Sequence, residues 1–301
     1  MRKAILTVAG SRPVTRFVTR YGLRLGAGRF VAGEDWDQAV AQVRTLNARG
    51  IIATLDYLGE SVSDRAMAEA ARDVYLDLLG QVAASGVDAN VSLKLTQMGL
   101  DIDPGFCHEN VRSIVRQAAG LGSFVRIDME DSPRTDATID IFRRLRAELG
   151  NVGLVVQSYL YRTEKDVRDL AGLRPNLRVC KGAYLEKPDV AFPRKADVDE
   201  NFKRVVLLNL ELGSKTCLAT HDERIVNWAR GVIRDKGISA DRYEFQMLYG
   251  IRPQLQRQLA SEGHPVRVYV PFGKQWYPYF TRRLAERPAN VFFILSNLLR
   301  P

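Results

Sequence analysis

Eight short apolar segments recur along the chain, and each is followed by a stretch of helical periodicity. Few folds can absorb that pattern. The segments begin near residues 51, 91, 124, 153, 177, 216, 243 and 266. Seven helices connect them, a helix "EDWDQAVAQVRTLNARG" precedes them and ends at Gly50, and "YPYFTRRLAERP" and "NVFFILSNLLR" follow as helices. Regular β/α alternation calls for a parallel sheet with right-handed crossovers. Eight such units in one chain of 301 residues predict an α/β fold, a distorted (β/α)8 barrel of the TIM type. A doubly wound open sheet is the rival arrangement. Residues 1–34 read as an N-terminal helical extension, basic and closed by the Gly-rich turn "GLRLGAGRF", and residues 35–301 as the barrel. Within the barrel we expect Ser63 to cap a long helix, and a helix over about 108–121.

The charge balance narrows the partners. Lys and Arg number 44 against 35 Asp and Glu, a net charge of +9. A surplus of that size suits anionic ligands, an anionic membrane surface or nucleic acid. No Lys/Arg block is interleaved with aromatics, so we expect no nucleic-acid partner. The start "MRKAILTVAGSRP" has too short an apolar run for a secretory leader, and no run of about 18 apolar residues occurs. The three cysteines, Cys107, Cys180 and Cys217, are scattered without a CxxC, which argues for a reducing cytoplasm and against a zinc site or disulfide framework. No His/Asp/Glu cluster has metal spacing, so no metal is expected.

Polar residues stand where barrel strands should be apolar. In "VSLKLT", Ser92, Lys94 and Thr96 share one face. In "FVRIDME", Arg126, Asp128 and Glu130 share one. "LVVQ" ends in Gln157 and "CLATH" in His221; Glu244 pairs in parity with Gln246, and Arg267 with Tyr269. Arg178 and Lys181 differ in parity, so both can face one site only if the chain turns near Gly182. Convergence at the C-terminal mouth of the barrel would make these residues a site. The competing reading is a buried ion-pair network, for instance Lys94 with Asp128.

The helix after the eighth strand raises the same choice. Tyr279 lies three and four residues before Arg282 and Arg283, and Glu286 lies four and three after them. Pro278 suits the first turn. The face is either a solvated charge-paired surface or a guanidinium clamp for a carboxylate with an aromatic cover.

Taken together and in this order, "SLKLT", "RIDME", "GLVVQSY", "RVCKGAY", "ATHDER", "YEFQMLYG", "RVYVPFG" and "YFTRRLAERPAN" resemble the proline dehydrogenase family, in its short monofunctional bacterial type. The resemblance runs from about Ile51 to Asn290. It implies a distorted barrel that binds FAD, oxidises L-proline to Δ1-pyrroline-5-carboxylate by hydride transfer from C5, and hands electrons to a membrane quinone. It implies that Arg282, Arg283 and Lys94 hold the substrate carboxylate, that Tyr269, Tyr279 and Leu248 enclose the ring, that Asp128 orients Lys94 and the arginines, and that Glu286 holds an arginine. By the same resemblance Gln157, Arg178, Lys181, Gly182 and Ala183 line the flavin, with Thr220 and His221 near its dinucleotide part. Leu185 stands where larger bifunctional relatives often have Trp, and Arg287 where they often have Asn. The chain ends soon after the last motif, so we expect no separate second dehydrogenase domain. Tyr279, where hydroxyproline oxidisers tend to have a smaller residue, implies proline as substrate. The expected location is the cytoplasm, with peripheral association at the inner face of the cell membrane. From the residues alone, a barrel lyase using Lys94 or Lys181 as a Schiff base, and a non-catalytic anion-binding barrel, remain the alternatives.

Overall fold

Eight parallel strands close on themselves in chain order, each hydrogen-bonded to its neighbours in sequence. A computed structural model describes residues 27–59 and 62–286, except for the side chains of Arg282, Leu284, Ala285 and Glu286. The strands are β1 (Ile52–Tyr57), β2 (Ala89–Lys94), β3 (Val125–Asp128), β4 (Val152–Gln157), β5 (Leu177–Cys180), β6 (Thr216–Ala219), β7 (Tyr243–Leu248) and β8 (Val266–Phe272). Closure is made by β8 on β1, in register from Ile52 against Arg267 to Tyr57 against Phe272. A closed ring excludes the open doubly wound sheet.

Helix α1 (Trp36–Asn47) precedes the ring, and α2 (Arg65–Ser85), α3 (Pro104–Gly120), α4 (Thr135–Glu148), α5 (Thr163–Leu170), α6 (Lys195–Glu211), α7 (Glu223–Asp235) and α8 (Pro253–Ser261) are the crossovers. Helix α9 (Trp276–Glu286) follows β8. The expected last helix, "NVFFILSNLLR", lies outside the described residues, as does the extension up to residue 26. Two expected boundaries move. The cap of α2 is Asp64, whose carboxylate accepts from Met67 N at 2.9 Å, and Ser63 stands one residue too early. Helix α3 starts at Pro104 because Asp103 caps it and proline suits its first turn.

The outer face of the ring is the apolar one. Val91, Leu93, Val125, Ile127, Leu154, Val179, Phe245 and Val268 are completely buried in the core shared with the helices. The inner face carries Thr54, Ser92, Arg126, Arg178, Glu244 and Gln246, all buried. Most barrels of this kind fill the inside with branched apolar side chains. Here alternate strand positions send charges inward, so pairing must replace apolar packing there.

A second apolar cluster borders the mouth. Ala27, Phe30 and Val31 pack with Leu58, Trp276, Tyr279 and Phe280. Ala32 N donates to Pro271 O at 2.9 Å, Gly273 N donates to Gly33 O at 3.0 Å, and the Trp276 indole donates to Glu34 Oε1 at 3.0 Å. The described end of the extension thus grips the chain just before α9. Gly250, at φ +73°, completes the grip: a Cβ there would fall inside the Arg29 carbonyl oxygen. No helix among the described residues is long and apolar enough to cross a membrane.

Gly250→Ala and Gly86→Ala separate the two demands on glycine. Gly86 is also left-handed, at φ +64°, but has open space around it. Its alanine should cost about 1–2 kcal/mol, the left-handed penalty alone. Gly250→Ala should cost about 1–3 kcal/mol more from the collision. Urea midpoints of the two variants check this; equal losses would mean that residues 27–34 do not bear on the mouth.

Candidate active site

A cavity of about 600 Å³ opens at the C-terminal ends of the strands. At its inner pole the paired charges of the barrel interior reach the surface of the cavity. The chain of contacts starts lower down. Arg267 donates to Glu244 Oε1 at 2.8 Å and to Oε2 at 3.2 Å. Gln246 joins Glu244 to Arg178, donating to the first and accepting from the second, both at 2.5 Å. Arg178 then reaches across the ring to Asp128 Oδ1 at 2.7 Å and Ser92 Oγ at 3.1 Å. Asp128 Oδ2 accepts the Tyr269 hydroxyl at 2.8 Å and lies 3.6 Å from Lys94 Nζ. Lys94 is closer to Asp56, at 3.3 Å, and donates to the Tyr269 oxygen at 3.3 Å.

Both sequence readings of Lys94 are therefore present at once. It belongs to an ion-pair network, and that network forms the wall of a cavity. Its nearer carboxylate is Asp56, which sequence reasoning missed. The signal was there: Asp56 shares a face with Thr54 in a strand otherwise apolar. Asp128 lies within ion-pair reach of Lys94 and, among the described residues, binds Arg178. Glu130, just past the end of β3, binds the Thr96 amide and hydroxyl just past the end of β2, which continues the pairing of Lys94 with Asp128. Arg126 lies below the network, on the carbonyls of Leu154 and Asn176; burial lowers its pKa to about 10.

Electrostatics sets the protonation of these groups. Burial raises the Tyr269 hydroxyl well above the ordinary 10, helped by the Asp128 charge, so it remains a donor. Burial pushes Cys180, at the cavity wall, up to about 11. Burial also works to raise Glu244, but the Arg267 charge and hydrogen bonds outweigh it and hold the carboxyl below the ordinary 4.5.

The outer pole collects the residues expected near a cofactor. Gln157 donates to Glu130 O at 2.6 Å, and its buried Oε1 has no hydrogen-bond partner among the described residues. Strand β5 stops at Cys180, and Gly182, at φ +107°, turns the chain so that Arg178 and Lys181 both line the cavity despite their parity. A Cβ on Gly182 would fall inside the Tyr159 ring. Lys181 pairs with Asp199 at 2.6 Å and Asp222 at 3.1 Å. Burial works against the Asp222 charge, but the Lys181 hydrogen bond and charge prevail and its pKa falls to about 2. Ala183 and Thr220 are at the wall, and the Thr220 hydroxyl accepts the Asp222 amide at 3.2 Å. His221 Nε2 accepts the Leu248 amide at 2.8 Å, which requires that nitrogen to be unprotonated. Leu248 is at the wall beside Tyr269.

Helix α9 lies over the inner pole. Tyr279 and Arg283 both line the cavity, one helical turn apart, with the guanidinium carbon 5.2 Å from the tyrosine ring centre. The side chains of Arg282 and Glu286 lie outside the described residues. Sequence reasoning also missed Tyr184, Lys195 and Arg252, which line the cavity from loops and helix ends where no strand parity applies. Among the described residues Lys94 pairs with Asp56 and Asp128, whereas Schiff-base chemistry asks for a free amine.

Fold and site together define a (β/α)8-barrel enzyme whose mouth can fix an anion beneath an aromatic cover. The family model for proline dehydrogenase matches residues 39–295, and the chain belongs to that family. It is 45% identical over 304 residues to a proline dehydrogenase of Deinococcus radiodurans, covering 99% of this chain and 98% of that one. Proline dehydrogenase 2 of Bacillus subtilis is 40% identical over 299 residues, 99% of each chain. In fold the chain is similar to proline utilization A of Bdellovibrio bacteriovorus, with a TM-score of 0.82 and 23% identity, over 90% of this chain and 33% of that longer one.

Glu244 offers a test of the network. A carboxyl whose folded pKa lies below its unfolded value adds stability above the ordinary 4.5, and that stability is lost as pH falls through the lowered value. Glu244→Gln leaves Arg267 buried without its counter-charge and should cost about 3–5 kcal/mol at pH 7. The variant should also lose less further stability than the native chain below pH 4.5. Denaturant titrations across that range check both; equal acid sensitivity would remove Glu244 from the account.

Proposed function

We propose that this chain oxidises L-proline to Δ1-pyrroline-5-carboxylate, the first step of proline catabolism, with FAD as its cofactor and a membrane quinone as the eventual acceptor. One observation carries the reading. Lys94, Arg283, Tyr269, Tyr279 and Leu248 come from four different elements and meet on one cavity, which Gln157, Lys181, Gly182 and Thr220 also line. The buried Gln157 Oε1, without a partner among the described residues, is a ready acceptor for a ring N–H, and Lys181 and Thr220 offer donors on the same cavity. When bound, the flavin supplies the two-electron acceptor.

The protein's share is binding and orientation. Lys94 and Arg283, with Arg282, hold the carboxylate. Tyr279, Tyr269 and Leu248 enclose the ring, which fixes C5 against the flavin and keeps water away. Oxidation removes a hydride equivalent from C5 and a proton from nitrogen to leave the C5=N double bond. Asp128 has both oxygens engaged, by Arg178 and by Tyr269, so we assign it a positioning role. The amine proton then leaves to water. Residues 35–301 form the catalytic barrel in this proposal, and residues 1–34 the extension. The surplus of +9 suits weak peripheral attachment to an anionic membrane, where a quinone is reached.

The purified protein should be yellow and bleach on anaerobic addition of proline; a colourless protein that takes up no FAD sinks the reading. Arg283→Lys keeps a charge but loses the planar fork and its packing on Tyr279. It should raise KM for proline by about tenfold or more, a loss of about 1.4 kcal/mol or more, with flavin content and Tm retained. An unchanged KM removes the clamp.

A further inference from the structure

The geometry points to Arg252 as an exchangeable cation for the phosphate-bearing arm of the dinucleotide: we propose that it leaves Glu223 to hold the diphosphate. The inference rests on the flavin reading above.

Arg252 has left-handed backbone, φ 49° and ψ 53°, and among the described residues only Arg174 shares that trait without being glycine. It stands just before Pro253, which opens α8. The conformation is costly for a residue with a Cβ, and glycine would adopt it without that cost. An arginine in such a place implies a use for the side chain. Its ion pair does not supply that use. Arg252 Nη1 lies 2.8 Å from Glu223 Oε2, but the two side chains are 40% and 56% exposed, and such pairs contribute little.

Its position does supply a use. Arg252 lines the cavity, and its partner Glu223 directly follows Thr220, His221 and Asp222, which line it too. The two cations on Asp222 are committed: Lys181 and Lys195 are each shared by Asp199 and Asp222. Arg252 has a single exposed carboxylate as its ion-pair partner, and its fork of N–H donors matches phosphate oxygens. Glu223 sits in the first turn of α7, where the helix dipole favours a carboxylate left on its own. Exchanging Glu223 for a diphosphate is therefore easy for both partners.

Release of FAD from the holoenzyme on dilution, followed by flavin fluorescence at low and high salt, gives the test. Arg252→Gly removes the charge and the backbone strain together. It should weaken FAD binding about tenfold or more, with a shallower salt dependence. Arg252→Lys should fall between, and Glu223→Gln should bind FAD at least as tightly as the native chain. The flavin that stays bound to Arg252→Gly should still be bleached at the native half-saturating proline concentration. FAD affinity within twofold of native, or a tenfold shift in that proline concentration, would overturn the assignment. A native protein that binds no FAD at all would instead bring down the reading beneath it.

Discussion

Six charges of alternating sign thread the barrel, and the rest of the site depends on their staying paired. They run Arg267, Glu244, Arg178, Asp128, Lys94, Asp56, with Gln246 bridging the second to the third. Each is buried or nearly so, and removing one partner would leave its neighbour uncompensated in a medium that solvates ions poorly. The sum of the six is zero, and Arg126, a further buried charge of the inner face, lies below them on the carbonyls of Leu154 and Asn176. The last members, Lys94 and Asp128, face the cavity. The Lys94 ammonium at the cavity wall is thus held by the same contacts that fill the barrel.

That network supplies only one wall. The cover comes from α9, and α9 is set by the chain on either side of it. Residues 32–34 hydrogen-bond to Pro271, Gly273 and Trp276, and Phe30 packs against Phe280 with ring centres 6.3 Å apart. Tyr279 and Arg283 are aimed at the cavity by this clasp. The segment before the barrel therefore contributes to the site without lining it. His221 acts in a similar way from just past the end of β6, accepting the Leu248 amide and with it holding the apolar side of the cavity.

Much of this was legible in the sequence, because buried strands leave a strict two-residue record. Alternation located all eight strands, and parity put Lys94, Asp128, Gln246 and Tyr269 on inward faces. Parity failed where strands end. Lys181 reaches the cavity through a left-handed glycine. Asp56 was readable by the same rule and was overlooked inside an apolar run. Arg252 and Tyr184 were not readable, since loops have no periodicity and only the closed ring brings them to the mouth. The helix caps moved by a residue or a turn, because Ser63 and Asp64 are both competent caps and only backbone geometry chooses between them.

The central claim is that one cavity holds a cyclic amino acid by its carboxylate, between Lys94 and α9. A crystal structure of the protein with FAD and a cyclic carboxylate that cannot be oxidised tests it most directly. The account predicts the carboxylate on Lys94 and Arg283, the ring against Tyr279 and Leu248, and the flavin along the Gln157 and Lys181 wall. A carboxylate bound away from Lys94 and Arg283, with those side chains still in their present ion pairs and ring contacts, would contradict it.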